Sequence, residues 1–169
     1  MTEDTPKPQP THLTGHLLVE WAHRAARGLV EAQAEINTLN VFPIPDSDTG
    51  SNMAHTMTKA AEATSFVDAN DVSAVAAALA SGAVRNARGN SGLVISQVMR
   101  SLSQIAATGA IDAAAVATML EQSAEYVRDA ISAPVEGTII SVLEASAHGA
   151  RRVVDTTDEA ATALVMTVS

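Results

Sequence analysis

The sequence predicts an all-α fold, and three observations carry that expectation. Hydrophobic residues make up 47% of the chain but aromatics only 2%. Alanine supplies much of the apolar fraction, a composition that suits closely packed helices better than a β-sandwich. Apolar residues recur at three- and four-residue steps in successive windows, and no window sustains the period-two alternation of a half-buried strand. The 169 residues make one domain with a sizeable core, built from about seven helices.

Residues 1–11, MTEDTPKPQPT, are polar with three prolines and read as a disordered lead-in, leaving 12–169 as the helical domain. From His12 a stripe of Leu13, Leu17, Trp21, Ala25, Leu29, Ala32 and Ile36 predicts a long helix ending near Thr38. Pro43 and Pro45 then hold the chain extended. A second helix is expected over Ser51 to Thr64, with Met53, Met57 and Ala60 on one stripe. Asp68 to Asp71 is a turn, and Asp71 is placed to cap a third helix, Val72 to Asn86, whose stripe is Val72, Val75, Ala76, Leu79 and Ala83. After RNARGNSG a fourth helix runs from about Ser91 to Ala107 and stops at Gly109. Asp112 caps a fifth through Ile131. The break PVEGT leads into a sixth, Thr138 to about Ala150, and Asp158 to Val168 repeats the helical pattern.

The balance of charge narrows the partners. A net charge of −9 argues against a nucleic-acid groove and against anionic lipid surfaces. The chain has no Cys, which excludes disulfides and thiolate chemistry and fits a reducing compartment. The N-terminus lacks the layout of a signal peptide. The run Val72 to Val84 falls short of the ~20 apolar residues that a membrane span takes. A soluble, cytoplasmic chain without stable membrane insertion is expected. Its apolar finish at Ser169 reads as a fragment of something longer.

The stretch that organises the chemistry is LNVFPIPDSDTGSNM, Leu39 to Met53. Asp46 and Asp48, one residue apart, can converge on one side of an extended loop, and oxygen-only ligands suit magnesium. Thr49, Gly50, Ser51 and Asn52 open a helix whose unpaired N–H groups would face an anion. Two further glycine-containing breaks, RNARGNSG and PVEGT, also precede predicted helices. Three such helix starts aimed at one place would cradle a triphosphate, each carrying roughly half a positive charge. Neither G-x-x-x-x-G-K-S/T nor G-x-G-x-x-G occurs, so P-loop and Rossmann readings fail. Calcium fails as well: counted from Asp46, Gly50 holds the fifth EF-hand place and Met57 the twelfth.

In order and spacing, LNVFPIPDSDTGSNM, ARGNSGLVISQ and PVEGTIISV resemble the nucleotide-binding (L-type) domain of the dihydroxyacetone kinase family. Within that family they look most like the amino-terminal domain of the bacterial fatty acid kinase A branch. The resemblance covers roughly Ile36 to Val142. It implies an antiparallel helical barrel of eight helices, with Mg-ATP at one rim. It also implies phosphoryl transfer to a fatty acid carboxylate held by a separate lipid-binding partner protein, giving an acyl phosphate. Carried over by position, Asp46 and Asp48 match the family's magnesium-binding aspartates, and Asn40 is the nearest oxygen ligand for the third place. Thr49, Gly50, Ser51 and Asn52 match the phosphate turn. Asn90, Ser91 and Gly92 match the second phosphate-facing helix start, and Thr138 a polar position in the third nucleotide-side loop.

The chain departs from the family pattern at three points. Ser47 stands where a Gly is usual, which matters if that residue needs a positive φ. Ser51 replaces a Thr and keeps the hydroxyl. The family's final G-V-V-D-A-G-type motif has no counterpart before Ser169, so the barrel is expected to be truncated at its C-terminus. Two other functions remain open: a dihydroxyacetone (glycerone) small-ketone kinase subunit, and a non-catalytic nucleotide-binding regulatory module. The N-V-F-P prefix favours the fatty acid branch, for which a homodimer of the full-length chain is expected.

Several residues carry a bland reading beside the sharp one. Thr49 to Asn52 can simply cap a helix, and Asn90 and Ser91 can form an ordinary turn. Arg85 and Arg88 can neutralise phosphate or complement a helix dipole. Thr138 is an N-cap as readily as a nucleotide contact. His55 lies on the face of Ser51, near the site, while Met53, Met57 and Trp21 belong to the core.

Overall fold

Thr14 sets the start of the first helix, because its hydroxyl accepts the Leu17 N–H at 3.2 Å. A computed structural model describes residues 11–39, 47–131 and 138–156. Helix α1 spans Gly15–Leu39, three residues later than the expected start at His12. The reason is that Leu13 is extended: its N–H bonds to the Ile111 carbonyl at 2.8 Å in an isolated bridge. The remaining helices are α2 (Thr49–Ala63), α3 (Val72–Asn86), α4 (Gly89–Ala106), α5 (Ala113–Ala130) and α6 (Ile139–Thr156), with a 3-10 turn at Thr64–Phe66. Among the described residues the fold is all-α, as expected. The segment expected over Asp158 to Val168 lies outside them.

Helix α3 has the boundaries its sequence predicts, and Asp71 caps it by accepting the Ala74 N–H. Asp112 does the same for α5 through the Ala115 N–H. Two helices begin earlier than their sequences suggest: α2 at Thr49 rather than Ser51, and α4 at Gly89 rather than Ser91. Helix α6 continues to Thr156 instead of stopping near Ala150. Arg151 in its added turn grips Glu121 with both carboxylate oxygens, at 2.8 and 2.7 Å, and Val153 and Val154 pack against Ala113.

Successive helices run antiparallel. Ser51 at the start of α2 meets Asn37 at the finish of α1. Thr56 in α2 meets Asn86, the last residue of α3. Ser101 in α4 bonds the Met119 carbonyl in α5, and Arg128 late in α5 pairs with Glu144 early in α6. The starts of α2, α4 and α6 therefore share one end of the bundle with the finishes of α1, α3 and α5.

The core is centred on Val75, Ala76, Leu79 and Ala83 of α3, all fully buried; burying a Leu or Val contributes about 1.5–3 kcal/mol. The stripe of α1 is rotated from the expected one. Gly15, Leu18, Ala22 and Ala26 are its buried residues, while Leu17 is 37% exposed. Small residues allow α2 and α3 to close on that face, while Leu13, Trp21, Ala25 and Leu29 of the expected stripe pack partly buried against the same core and, with Leu18, line an apolar cavity of about 310 Å³. Residues of α2, α4, α5 and α6 complete its wall. Every buried side-chain polar atom among the described residues has a partner. No described helix is long and apolar enough to cross a membrane.

Candidate functional site

At the start of α2 the backbone makes an unusual turn. Ser47 has φ +53°, the one non-glycine positive φ among the described residues, a conformation that costs an L-residue about 1–2 kcal/mol. Here the departure from the family glycine has its physical consequence. Asp48 follows as the N-cap with φ −119° and ψ −3°, yet its carboxylate makes no capping hydrogen bond. The side chain is exposed at the mouth of the helix.

The cap comes instead from another helix. Asn37 Oδ1 accepts the Ser51 N–H at 3.2 Å, and Asn37 Nδ2 donates to Ser51 Oγ at 2.9 Å. The backbone donor fixes the orientation of the amide. A hydroxyl has one proton and two lone pairs, so this pairing turns the Ser51 proton toward a further acceptor. Gly50 makes the approach possible: a Cβ there would stand 2.3 Å from the Gln33 carbonyl oxygen of α1.

The start of α4 lies against this turn. Gly89 has φ +58°, and a Cβ on it would come within 2.7 Å of Asn52 Nδ2. A Cβ on Gly92 would come within 2.6 Å of Thr56 Oγ1. Ser91 is buried and donates its hydroxyl to the Thr49 carbonyl at 3.4 Å. Arg88, the N-cap of α4, has no side-chain capping bond, and an arginine has no acceptor with which to make one. Its guanidinium is exposed. With burial as the larger cause, the Arg88 charge and then that of Lys59 hold the His55 imidazole below its usual range.

The structure thus brings Asp48, Thr49, Gly50, Ser51 and Asn52 together with Asn90, Ser91 and Gly92. It places Asn90 as well as Ser91 inside the first turn of α4, which starts two residues before the expected Ser91. Thr138 opens α6 at the same end, where its hydroxyl accepts the Ile140 N–H at 3.4 Å. Asn40 and Asp46 lie outside the described residues. Two residues escaped the sequence reading. Asn37 sits in the last turn of α1 and reveals itself only through Ser51. Thr56 lies four residues after Asn52, a hydroxyl on a face otherwise held by methionine and alanine, and that placement was a readable signal.

Chemically, two adjacent helix starts present positive dipole ends and first-turn N–H groups, with the Arg88 guanidinium beside them. This donor set fits a polyphosphate. For magnesium the described residues offer the exposed Asp48 carboxylate, a hard oxygen ligand of the right type. Among them no group of three or more His, Asp or Glu converges.

A family model described as "DAK2 domain" matches residues 43–169, well over half of the chain. Protein YloV of Bacillus subtilis is 37% identical over 139 residues, 82% of this chain and 25% of that one. An uncharacterised protein of Staphylococcus saprophyticus is 33% identical over 148 residues, covering 87% of this chain and 27% of that protein. Another from Staphylococcus aureus strain USA300 is 30% identical over the same shares. The chain spans about a quarter of the length of these relatives.

Proposed function

The chain belongs to the DAK2-domain family, the nucleotide-binding domain type of the dihydroxyacetone kinases, and from that premise we propose that it is the Mg-ATP-binding domain of a kinase that phosphorylates a fatty acid carboxylate. The fatty acid is presented by a separate lipid-binding protein, and the full-length, cytoplasmic chain acts as a homodimer. The observation that carries the nucleotide site is the adjacency of two helix starts that their own N-cap side chains do not close. The prefix Asn40-Val41-Phe42-Pro43 supports the fatty acid branch over a small-ketone kinase.

Asp48, with Asp46 and Asn40, would hold magnesium, which supplies charge neutralisation to the phosphate oxygens. First-turn N–H groups of α2 and α4, other than that of Ser51, which Asn37 takes, receive the phosphates, and Thr49, Ser51, Asn52 and Asn90 offer side-chain donors to their oxygens. Arg88 adds a fixed positive charge beside the same turns. A carboxylate oxygen of the fatty acid attacks the γ-phosphorus, the bond to the β–γ bridging oxygen breaks, and ADP departs with that electron pair. The attacking carboxylate is already ionised at neutral pH, so no general base is required. Catalysis then rests on placement and charge.

The test is calorimetric titration of Mg-ATP into the chain and into Asp48→Ala and Asp46→Ala. Binding heat in the wild type and its loss in both variants is expected; undiminished heat in Asp48→Ala overturns the site. Transfer is then assayed in the full-length protein with a fatty-acid-loaded partner and with dihydroxyacetone. Acyl phosphate is the expected product. Turnover of dihydroxyacetone alone selects the small-ketone reading, and binding without any transfer selects the regulatory module.

A further inference from the structure

Thr56 is fully buried and belongs to neither helix start, yet it touches both. Its Oγ1 donates to the Asn52 carbonyl in the first turn of α2 at 2.8 Å, and the Asn86 carbonyl at the finish of α3 lies 3.4 Å away. The same oxygen accepts the Arg88 N–H at 3.3 Å, at the residue from which α4 springs. Gly92 completes the fit, since any Cβ there would stand 2.6 Å from this oxygen. One hydroxyl thereby uses its proton on α2 and a lone pair on the start of α4, with the finish of α3 beside it at the candidate site. Such an i−4 back-bond slightly destabilises and bends its own helix, so local helix stability does not explain the hydroxyl.

We propose that Thr56 is a positioning residue: its hydroxyl sets the first turns of α2 and α4 in register, so that their donors converge on one triphosphate. This rests on the nucleotide reading given above. The hydroxyl touches no phosphate itself. It fixes where the Asn52 turn and the Arg88–Gly92 turn stand relative to each other, and a valine in its place keeps the shape but loses both hydrogen bonds.

The experiment compares Thr56→Val, Thr56→Ser and Thr56→Ala with Ser101→Ala, which deletes another buried hydroxyl bonded to a carbonyl, that of Met119. Mg-ATP affinity, thermal midpoint and amide hydrogen exchange are read for each. In Thr56→Val affinity should fall about tenfold, the loss expected for one buried hydrogen-bonded group. Exchange at the amides of Arg88 to Gly92 should rise by a similar factor, with a thermal midpoint no lower than that of Ser101→Ala. Thr56→Ser should restore affinity, and Ser101→Ala should leave it unchanged. If Thr56→Val does not fold, the comparison of Ser with Ala decides, since both lose the methyl and only Ala loses the hydroxyl. Wild-type affinity in the variants lacking the hydroxyl overturns the proposal. If the wild-type chain itself takes up no Mg-ATP, the nucleotide reading fails, and unchanged exchange at Arg88 to Gly92 overturns the positioning role separately.

Discussion

At one end of the bundle, α1, α3 and α5 begin on residues whose own side chains close the first turn. Thr14 accepts from Leu17, Asp71 from Ala74 and Asp112 from Ala115, at 3.2, 3.0 and 2.8 Å. At the other end Thr138 accepts the Ile140 N–H at the start of α6, but α2 and α4 begin on Asp48 and Arg88, and neither of those side chains caps its helix. Asp48 is chemically as able to cap as Asp71 or Asp112, so its failure to do so is a matter of placement, not residue type. Backbone donors at a helix start need a partner. At α1, α3 and α5 the N-cap supplies that partner; at α2, where the Asp48 carboxylate is turned out, Asn37 of α1 takes the Ser51 N–H instead. On the nucleotide reading proposed above, the two ends separate folding from binding.

The largest test of that separation uses glycines. Gly15 at the capped end and Gly50 at the uncapped end are equally tight, each leaving 2.3 Å between a built Cβ and a neighbouring carbonyl oxygen. Alanine at either should cost about 1–3 kcal/mol by overpacking. Gly50→Ala should also abolish Mg-ATP binding, because it moves the phosphate turn off α1, while Gly15→Ala should bind normally under folding conditions. Gly28 in α1 has nothing within 4 Å, and Gly28→Ala should gain about 0.5–1 kcal/mol. Urea unfolding and calorimetry on the three variants measure this. Loss of binding in Gly15→Ala would erase the distinction between the ends.

The caps give the next effect. Asp71→Ala and Asp112→Ala should each cost about 1 kcal/mol in unfolding free energy and leave nucleotide affinity alone. Asp48→Ala should shift stability by less than about 0.5 kcal/mol, as an exposed uncapping residue does, and remove Mg-ATP binding. A smaller effect follows from Ser47. Glycine relieves its positive φ but adds freedom to the unfolded chain, so Ser47→Gly should gain about 0.5–1 kcal/mol. A lower denaturation midpoint in that variant would mean the Ser47 side chain contributes more than its backbone costs.

How far the sequence revealed these two ends depends on what kind of interaction built them. The capped end was legible because its contacts are local: Asp71 and Asp112 each close a bond three residues away, and both were placed from the sequence. The helix limits of α3 followed. The uncapped end is made by residues far apart in the chain. Asn37 meets Ser51 and Thr56 meets Arg88 only after the helices pack, and of these only Thr56, by its place on the apolar face of α2, left a mark in the sequence. The same reason explains the early start of α4, where Gly89 is fitted against Asn52. On α1 the apolar stripe was visible, but which side faced the core was decided by how closely α2 and α3 could approach Ala22 and Ala26. The positive φ at Ser47 was legible as a question, raised by a missing glycine, and the backbone answers it.

The finest probe of the uncapped end is the charge state of His55. Its imidazole is held below the usual range, first by burial and then by the charges of Arg88 and Lys59, with Glu62 opposing. A histidine whose folded-state pKa is depressed takes up its proton more readily when unfolded. Its contribution is therefore level above the ordinary value of 6.5 and is lost as pH falls below it toward the folded-state pKa. A triphosphate seated between the starts of α2 and α4 brings several negative charges beside Arg88 and reverses the balance of field at this ring. Saturating Mg-ATP should raise the His55 midpoint in an NMR titration and leave that midpoint unmoved in Asp48→Ala. By linkage, affinity for the nucleotide should then strengthen as pH falls through the His55 range. A midpoint that does not move in a nucleotide-saturated wild-type chain would place the anion away from Arg88, and with it the function of the uncapped end.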